Sequence, residues 1–273
     1  MSQPPAVIPA SHEPRLWHAL GLDASRDRTG VPVVAVVGGG GKTSLLYRLA
    51  RDAEALGLRA VVCGTVRYTR APQPFETPLL IRAAEADLPA RVTEAFEAGT
   101  RVLVATGVDA DAPARLVPLA PETVDALATI EGIDAVIFEA DGSRQLPFKA
   151  PAPHEPVIPP STTHVIAIVG LDGLGAPLDA EHVHRPERVR AIVDRDMCDA
   201  DLIARVMAHP QGGRQFAEAR AFAVVVNKAD LNPAAARDLA ERIAAAGVPR
   251  VVIARLADEA APIDGVVGKG AGA

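Results

Sequence analysis

The stretch VVAVVGGGGKTSLL, residues 33–46, places four consecutive glycines between an apolar run and a Lys-Thr pair. Val33–Val37 has the composition of a buried strand, and the residues from Thr43 onward have the apolar spacing of a helix. Glycine lets successive backbone amides converge on one point, and the helix N-terminus adds partial positive charge. The stretch therefore predicts a phosphate-binding loop between a strand and a helix.

This loop is shorter than the standard phosphate-binding pattern, G-x-x-x-x-G-K-[ST], because the residue five positions before Gly41 is Val36. We expect Lys42 to lie in a solvent-facing loop and reach the β and γ phosphates, and Thr43 to place its hydroxyl on Mg²⁺. The residues expected to bind the phosphates are Gly38, Gly39, Gly40, Gly41, Lys42, Thr43 and Ser44. Two alternatives stay open: a glycine-rich turn without a ligand, and a dinucleotide-binding turn that lacks its third glycine.

Composition and charge restrict the function classes. With 273 residues, 49% of them hydrophobic, the chain can form one large domain or two small ones. The net charge is -6 and the charges are interleaved, so we expect no nucleic-acid or membrane partner. No signal-peptide pattern and no run of about 18 apolar residues is present, which favours a cytoplasmic protein. Cys63 and Cys198 are expected to be buried small hydrophobic residues.

Short apolar runs alternate with segments of helical period, which predicts an α/β fold with a mostly parallel sheet flanked by helices, as in P-loop NTPases. The predicted strands are Val33–Val37, Arg59–Cys63, Arg101–Ala105, Ala135–Glu139, His164–Val169, Ala221–Val226 and Arg250–Ala254. The predicted helices are Thr43–Leu56, Leu88–Ala98, Pro121–Ile130, Glu187–Val193, Asp199–Met207 and Pro233–Ala245.

The regular alternation stops between about residues 142 and 210, where proline is frequent. We expect one nucleotide-binding domain over residues 1–273, with an inserted lid or binding region at about 142–210. The tail GVVGKGAGA, residues 265–273, is expected to be loose. A helix around Trp17 is expected to cover the core.

A second motif is AVVVNKADL, residues 223–231, where a strand ends in the pattern N-K-x-D. We expect Asn227, Lys228 and Asp230 to bind the base of a nucleotide. The Asp230 carboxylate can accept hydrogen bonds from both N1–H and the 2-amino group of guanine, whereas adenine offers neither donor. The motif therefore favours GTP over ATP. The alternative is that Asp230 caps the following helix.

Carboxylates also follow a third strand, in DAVIFEADGSR, residues 134–144. Side chains at this end of a strand beside a phosphate loop can hold Mg²⁺ or orient a water molecule. We assign Asp141 to the metal and Glu139 to the attacking water, so that both act in catalysis together with Lys42. The alternative is a solvated Asp-Gly turn. Thr65 and Thr69, after the second strand, are further candidates for a metal or phosphate ligand.

The remaining polar candidates lie in the Pro-rich region. His182 and His184 have no carboxylate or thiol cluster with metal spacing nearby, which favours a solvated pair over a metal site. Polar groups in a loop made rigid by proline are typical of binding sites. The candidates for such a substrate loop are Arg144, Lys149, His154 and Glu155.

Taken together, VVGGGGKTSLLYRLA, the long block that begins FEADGSRQLPFKAPAPHEP, and VVVNKADL resemble the selenium-dependent hydroxylase accessory proteins of the YqeC type. The resemblance runs from about Val33 to Ala254. It implies a cytoplasmic P-loop protein that acts in maturation of the selenium-containing molybdenum cofactor of hydroxylases. The positions that match the family's pattern are Gly38, Gly41, Lys42, Thr43, Glu139, Asp141, Gly142, Ser143, Arg144, Lys149, His154 and Glu155. The sequence departs at GTVRYTRAP, where the family has a run of threonines.

These observations predict a Mg²⁺-dependent protein that binds GTP, or less favourably ATP, and couples hydrolysis or phosphoryl transfer to cofactor maturation. Its expected partners are a small-molecule or cofactor substrate and a molybdenum hydroxylase or another maturation protein. Two alternatives stay open. One is a nucleotide-gated carrier or assembly factor with slow hydrolysis. The other is a kinase or ligase that acts on a small molecule.

Overall fold

A computed structural model of the chain describes residues 15–23, 30–69, 79–82, 87–98, 102–258 and 260–268. The strands are β1 (Val33–Gly38), β2 (Ala60–Gly64), β3 (Tyr68–Thr69), β4 (Leu79–Arg82), β5 (Val102–Ala105), β6 (Gly107–Val108), β7 (Arg115–Val117), β8 (Ala135–Glu139), β9 (Phe148–Lys149), β10 (His164–Gly170), β11 (Val183–His184), β12 (Ala221–Asn227), β13 (Arg250–Ala254) and β14 (Ile263–Gly268). The helices are α1 (Arg15–Ala19), α2 (Lys42–Ala55), α3 (Leu88–Glu97), α4 (Pro121–Leu127), α5 (Pro186–Ile192), α6 (Ala200–Ala208) and α7 (Pro233–Ala245). Short 3₁₀ helices span Leu171–Gly173 and Ala229–Leu231.

The central sheet has the strand order β14-β13-β12-β10-β1-β8-β2-β5-β4, and only β14 runs antiparallel to its neighbour. β1 lies in the middle, between β10 and β8. All five residues of Val33–Val37 are buried, as expected for a strand covered on both faces. The predicted α/β fold with a mostly parallel sheet is confirmed.

Two hydrophobic cores lie on the two faces of this sheet. Val33, Ala35 and Val37 contribute to one core, and the alternate residues Val34 and Val36 contribute to the other. The second core also contains Trp17, which is fully buried, so the prediction that its helix covers the core is confirmed. Alternation along β1 therefore fixes the sheet between two layers of helices.

The predicted strands and helices are confirmed to within one or two residues where the structure describes them, except that α4 ends at Leu127, before the predicted Ile130. Arg101 and residues 269–273 lie outside the described ranges. The prediction of a loose tail is wrong for Gly265–Gly268. These residues belong to β14, whose valines pair with β13 along the edge of the sheet. Several two- to four-residue strands were not predicted, because such short runs show no clear periodicity.

The range 142–210 contains β10, which lies in the centre of the sheet beside β1. The same range contains the small β9–β11 sheet and helices α5 and α6. The single domain with an insert over this range stays a prediction. Because the parallel strands all end at one edge of the sheet, the loops after β1, β8, β2, β12 and β13 lie near one another.

Candidate functional site

The loop after β1 is packed so closely that only glycine fits. The backbone angle φ is positive at Gly38, Gly40 and Gly41. A Cβ atom at any of the four glycines would lie within 2.5 Å of a neighbouring atom; these atoms, for Gly38 to Gly41 in order, are Ile168 O, Leu146 O, Gly170 N and Asn227 Nδ2. Both the backbone angle and the lack of space therefore explain the four glycines.

Two side chains, Lys42 from the loop itself and Asp141 from just after the end of β8, hold the backbone of the glycine loop. The Gly38 amide donates to both carboxylate oxygens of Asp141 at 3.1 Å. The Lys42 ammonium donates to the Gly38 carbonyl at 2.7 Å and lies 3.4 Å from Asp141 Oδ1. Lys42 is only 5% exposed, so the expectation of a solvent-facing lysine is wrong. Its side chain curls over its own loop instead of extending into water.

Thr43 and Glu139 face each other at the start of α2. Thr43 Oγ1 donates to Glu139 Oε2 at 3.5 Å, and the Lys42 ammonium lies 3.8 Å from Glu139 Oε1. Burial raises the pKa of Glu139 to about 7; Lys42 opposes this shift and Asp141 adds to it. A hydroxyl and a carboxylate beside a phosphate loop fit Mg²⁺, which takes its remaining ligands from phosphate and water. The described residues contain no cluster of three His, Cys, Asp or Glu side chains that could hold a metal alone.

A second buried lysine lies behind the loop. Lys149 Nζ contacts Asp141 Oδ2 at 2.9 Å, the Gly142 carbonyl at 2.7 Å and Glu155 Oε2 at 3.0 Å. Arg185 holds both oxygens of Glu155, at 2.5 and 3.0 Å. Burial raises the pKa of Glu155, but its bonds to Arg185 and Lys149 outweigh burial and lower it to about 2. A chain of alternating charges thus connects the phosphate loop with Arg185.

The N-K-x-D motif divides into an anchor and an exposed carboxylate. Asn227 is buried; its Nδ2 donates to the Gly40 carbonyl at 2.8 Å, and its Oδ1 accepts from the Leu256 amide at 3.0 Å. Lys228 forms an ion pair with Asp172. Asp230 is exposed, and no ion pair or hydrogen bond to its side chain is present among the residues the structure describes. Asn227 therefore joins the phosphate loop to the loop after β13 and leaves Asp230 available.

The alternative role for Asp230, as the cap of the following helix, does not hold. Helix α7 has Asn232 as its N-cap, and the Asn232 side chain accepts from the Ala235 amide at 3.1 Å. Asp230 instead belongs to the 3₁₀ turn before that cap. Its carboxylate faces a cavity.

This cavity has a volume of about 960 Å³ and extends on both sides of the phosphate loop. The sequence-predicted site residues on its wall are Gly40, Gly41, Lys42, Thr43, Ser44, Thr69, Glu139, Gly142, Ser143, Arg144, Glu155, Asn227, Lys228 and Asp230. Those that do not reach its wall are Gly38, Gly39, Thr65, Asp141, Lys149 and His154. Thr65 donates its hydroxyl to the Val157 carbonyl at 2.8 Å and is buried. His154 is exposed.

Several residues of the wall were not predicted from the sequence; they are Val66, Arg67, Tyr68, Arg115, Gln145, Arg185, Leu256 and Ala257. Leu256 and Ala257 could have been found, because they lie two and three residues after a predicted strand, at the edge of the sheet where the other site loops lie. Arg115 belongs to β7, which pairs with β3 and is too short to predict.

The two histidines of the Pro-rich region differ. The His182 side chain is 41% exposed, and its Nδ1 lies 2.7 Å from Asp179 Oδ1, as expected for a solvated side chain. His184 is also only partly buried, and it differs in lying on the cavity wall. Burial and the neighbouring Arg185 lower the pKa of His184 to about 4. Cys63 and Cys198 are fully buried, which confirms their predicted place in the core.

The central strand is followed by a glycine loop, a Lys-Thr pair and a helix, and the neighbouring strand β8 ends in carboxylates. This arrangement defines a P-loop NTPase-like α/β protein with a nucleotide-binding fold. A family model described as YqeC protein matches residues 34–187. A curated relative, "Uncharacterized protein YqeC" of Escherichia coli (strain K12), is 36% identical over 185 residues, which are 66% of this chain and 69% of the relative. The chain belongs to the YqeC family.

Among solved structures, the hydrogenase maturation factor HypB from Archaeoglobus fulgidus aligns with 89% of this chain and 90% of its own. The identity is 11% and the TM-score is 0.38. Among the described residues, no helix has the length and apolar character needed to cross a membrane.

Proposed function

We propose that this protein binds GTP with Mg²⁺, in preference to ATP, and couples hydrolysis or phosphoryl transfer to maturation of the selenium-containing molybdenum cofactor of hydroxylases. One observation carries the nucleotide part of this proposal: a single cavity is lined by Lys42 and Thr43 of the phosphate loop and by Asp230 of the N-K-x-D motif. Asn227 bonds to the loop carbonyl of Gly40 and so holds the two motifs together.

The strand order gives the orientation of such a nucleotide. The phosphate loop follows β1, and the base motif follows β12, which lies two strands away on the β10 side. With the base near Asp230 and the phosphates on the loop, the γ phosphate lies toward β8 and β2. Glu139, at the end of β8, then lies near the reacting end.

The contacts favour roles for Glu139 and Asp141 that differ from those expected from the sequence. Glu139 lies on the cavity wall beside the Thr43 hydroxyl, whereas Asp141 is 2% exposed and is held by the Gly38 amide and two lysines. In this proposal Thr43 and Glu139 hold Mg²⁺, and Asp141 holds the loop. The ion would neutralise charge on the phosphate oxygens.

The maturation role rests on the family resemblance and not on the site. It makes a small-molecule or cofactor substrate the ligand of the cavity, and a molybdenum hydroxylase or another maturation protein the macromolecular partner, in the cytoplasm. A nucleotide-gated assembly factor is distinguished from an enzyme by turnover: an enzyme releases phosphate rapidly with its small substrate, and a switch needs its protein partner.

The nucleotide site is tested by Lys42→Ala, measured as the rise in Tm with GTP and Mg²⁺. We expect that rise to disappear, because the ammonium that would neutralise the β and γ phosphates is removed. Arg205→Ala is the control, since Arg205 is exposed and does not lie on the cavity wall. Undiminished GTP stabilisation of the Lys42→Ala protein would contradict the proposal.

A further inference from the structure

The cavity continues beyond the phosphate loop into a region rich in arginine. This region, on the β8 and β2 side of β1, is lined by Arg67, Arg115, Arg144 and Arg185. The half-buried His184 lies on the same wall. The proposed nucleotide does not need these side chains, because its base lies on the opposite side of the loop, toward β12.

Two of these arginines are already neutralised and two are not. Arg67 lies 3.3 Å from Asp109, and Arg185 binds both oxygens of Glu155. Arg115 and Arg144 are exposed, and the described part of the chain provides no carboxylate partner for either. Among the described residues, positive charge without a carboxylate partner therefore lies at one end of the cavity, in a protein whose net charge is -6.

The backbone that carries two of these arginines has an energetically unfavourable conformation. Arg144, Gln145 and Arg185 have φ angles of 52°, 65° and 64°, in the left-handed region that non-glycine residues seldom adopt. The buried Lys149 supports both segments, through the Gly142 carbonyl before Arg144 and through Glu155, which binds Arg185. Backbone strain maintained by the surrounding structure is common where a chain forms a ligand site.

We propose that this end of the cavity is a second binding site, which takes a small molecule bearing a phosphate or carboxylate group next to the γ phosphate. Arg115 and Arg144 supply the free guanidinium groups, whose planar N–H donors match the oxygens of either anion. The neutral His184 adds a polar group without adding charge. The position relative to the γ phosphate rests on the proposed function; the anion site itself does not.

The test measures binding of two probes, inorganic phosphate and citrate, by calorimetry. The protein is the whole 273-residue chain with its phosphate loop filled by a non-hydrolysable GTP analogue and Mg²⁺. The double variant Arg115→Ala, Arg144→Ala should lose about tenfold or more in affinity for whichever probe binds, because charged hydrogen bonds are removed. Arg205→Ala should bind the probe like the wild type. The probe that binds identifies phosphate or carboxylate as the recognised group.

Equal probe affinity in the wild type and the double variant, or binding of neither probe, overturns the anion site. If GTP does not bind to the wild type, the same titration is made on the nucleotide-free Lys42→Ala protein. Probe binding that depends on Arg115 and Arg144 would then support the anion site while the nucleotide proposal fails. If GTP binds normally but no probe binding depends on the arginines, the nucleotide proposal stands and the anion site is overturned.

Discussion

Two buried lysines contact Asp141 from different regions of the molecule, and they differ in what else they contact. Lys149, in the Pro-rich segment, has three oxygen partners within 3.0 Å and does not reach the cavity wall. Lys42, in the phosphate loop, has one partner at 2.7 Å and carboxylates at 3.4 and 3.8 Å, and it lies on the wall. An ammonium has three N–H donors, so those of Lys149 are all used and those of Lys42 are not.

The same division applies to the other pairs of site residues. Glu139 lies on the cavity wall and Asp141 behind the loop. Asp230 and Asn227 both reach the wall, but Asp230 is exposed there, whereas Asn227 is buried and both of its polar atoms bond to the backbone. The site is thus built from side chains that face a ligand and from buried side chains that hold them in place. Such support is what keeps a binding site in its productive geometry.

The largest expected effect is the loss of stability on replacing Lys149, which should exceed the loss on replacing Lys42. Lys149→Met should lower the free energy of unfolding by about 3–5 kcal/mol, because it removes one partner from a buried network of charges. Lys42→Met should cost less, about 1–2 kcal/mol, since Asp141 keeps Lys149 and the Gly38 amide. Urea unfolding followed by the fluorescence of Trp17, the single tryptophan, measures both. Equal losses would show that the two lysines do not differ in this way.

The second prediction concerns the pH dependence of stability that Glu139 produces. Burial raises the pKa of Glu139 from 4.5 to about 7, so the folded state loses stability as pH rises from about 4.5 to about 7, and the loss is complete above pH 7. Without nucleotide, Glu139→Gln should match the wild type near pH 4.5 and be more stable by up to about 3 kcal/mol above pH 7. Thermal unfolding at a series of pH values measures this difference, and parallel pH profiles would contradict it.

Mg²⁺ dependence gives the same pair an independent test. If Glu139 holds the ion, Glu139→Gln should raise the Mg²⁺ concentration needed for GTP binding. Asp141→Asn should instead weaken GTP binding at every Mg²⁺ concentration, because it loosens the Gly38 amide contact. The reverse pattern would restore the division of roles expected from the sequence.

The difference between the two regions also explains how much could be predicted from the sequence. The phosphate loop, β1 and α2 are encoded by neighbouring residues, since an apolar run, four glycines and a helical period lie within 33–46. The fold class and the two nucleotide motifs were predicted for the same reason. Interactions between residues close in sequence leave a local pattern.

The Pro-rich segment depends on partners that are distant in sequence. Glu155 pairs with Arg185 thirty residues later, and Gln215 donates to the Ala152 carbonyl. No periodicity marks such pairs, so Arg185 was missed and Lys149 was assigned to substrate rather than to support. β14 was missed because its glycines suggested a loose tail, although its valines pair with β13.

The smallest expected effect concerns the base, and it compares Asp230 with Asn227. GTP should bind more tightly than ATP by about 1–3 kcal/mol, or about tenfold to a hundredfold, because adenine leaves the carboxylate without its two donors. Xanthine carries a carbonyl in place of the 2-amino group, and the carboxylate repels it. In Asp230→Asn the side-chain NH₂ can turn toward that carbonyl while its oxygen still accepts from N1–H. The variant should therefore bind GTP more weakly and XTP more tightly than the wild type.

Asn227→Ala should instead weaken the binding of GTP, ATP and XTP alike, since it removes the bonds to Gly40 and Leu256 that hold the loop. Competition binding of the three nucleotides decides between these outcomes: a wild type that prefers ATP, or an Asp230→Asn preference that does not move, would remove guanine recognition from this site.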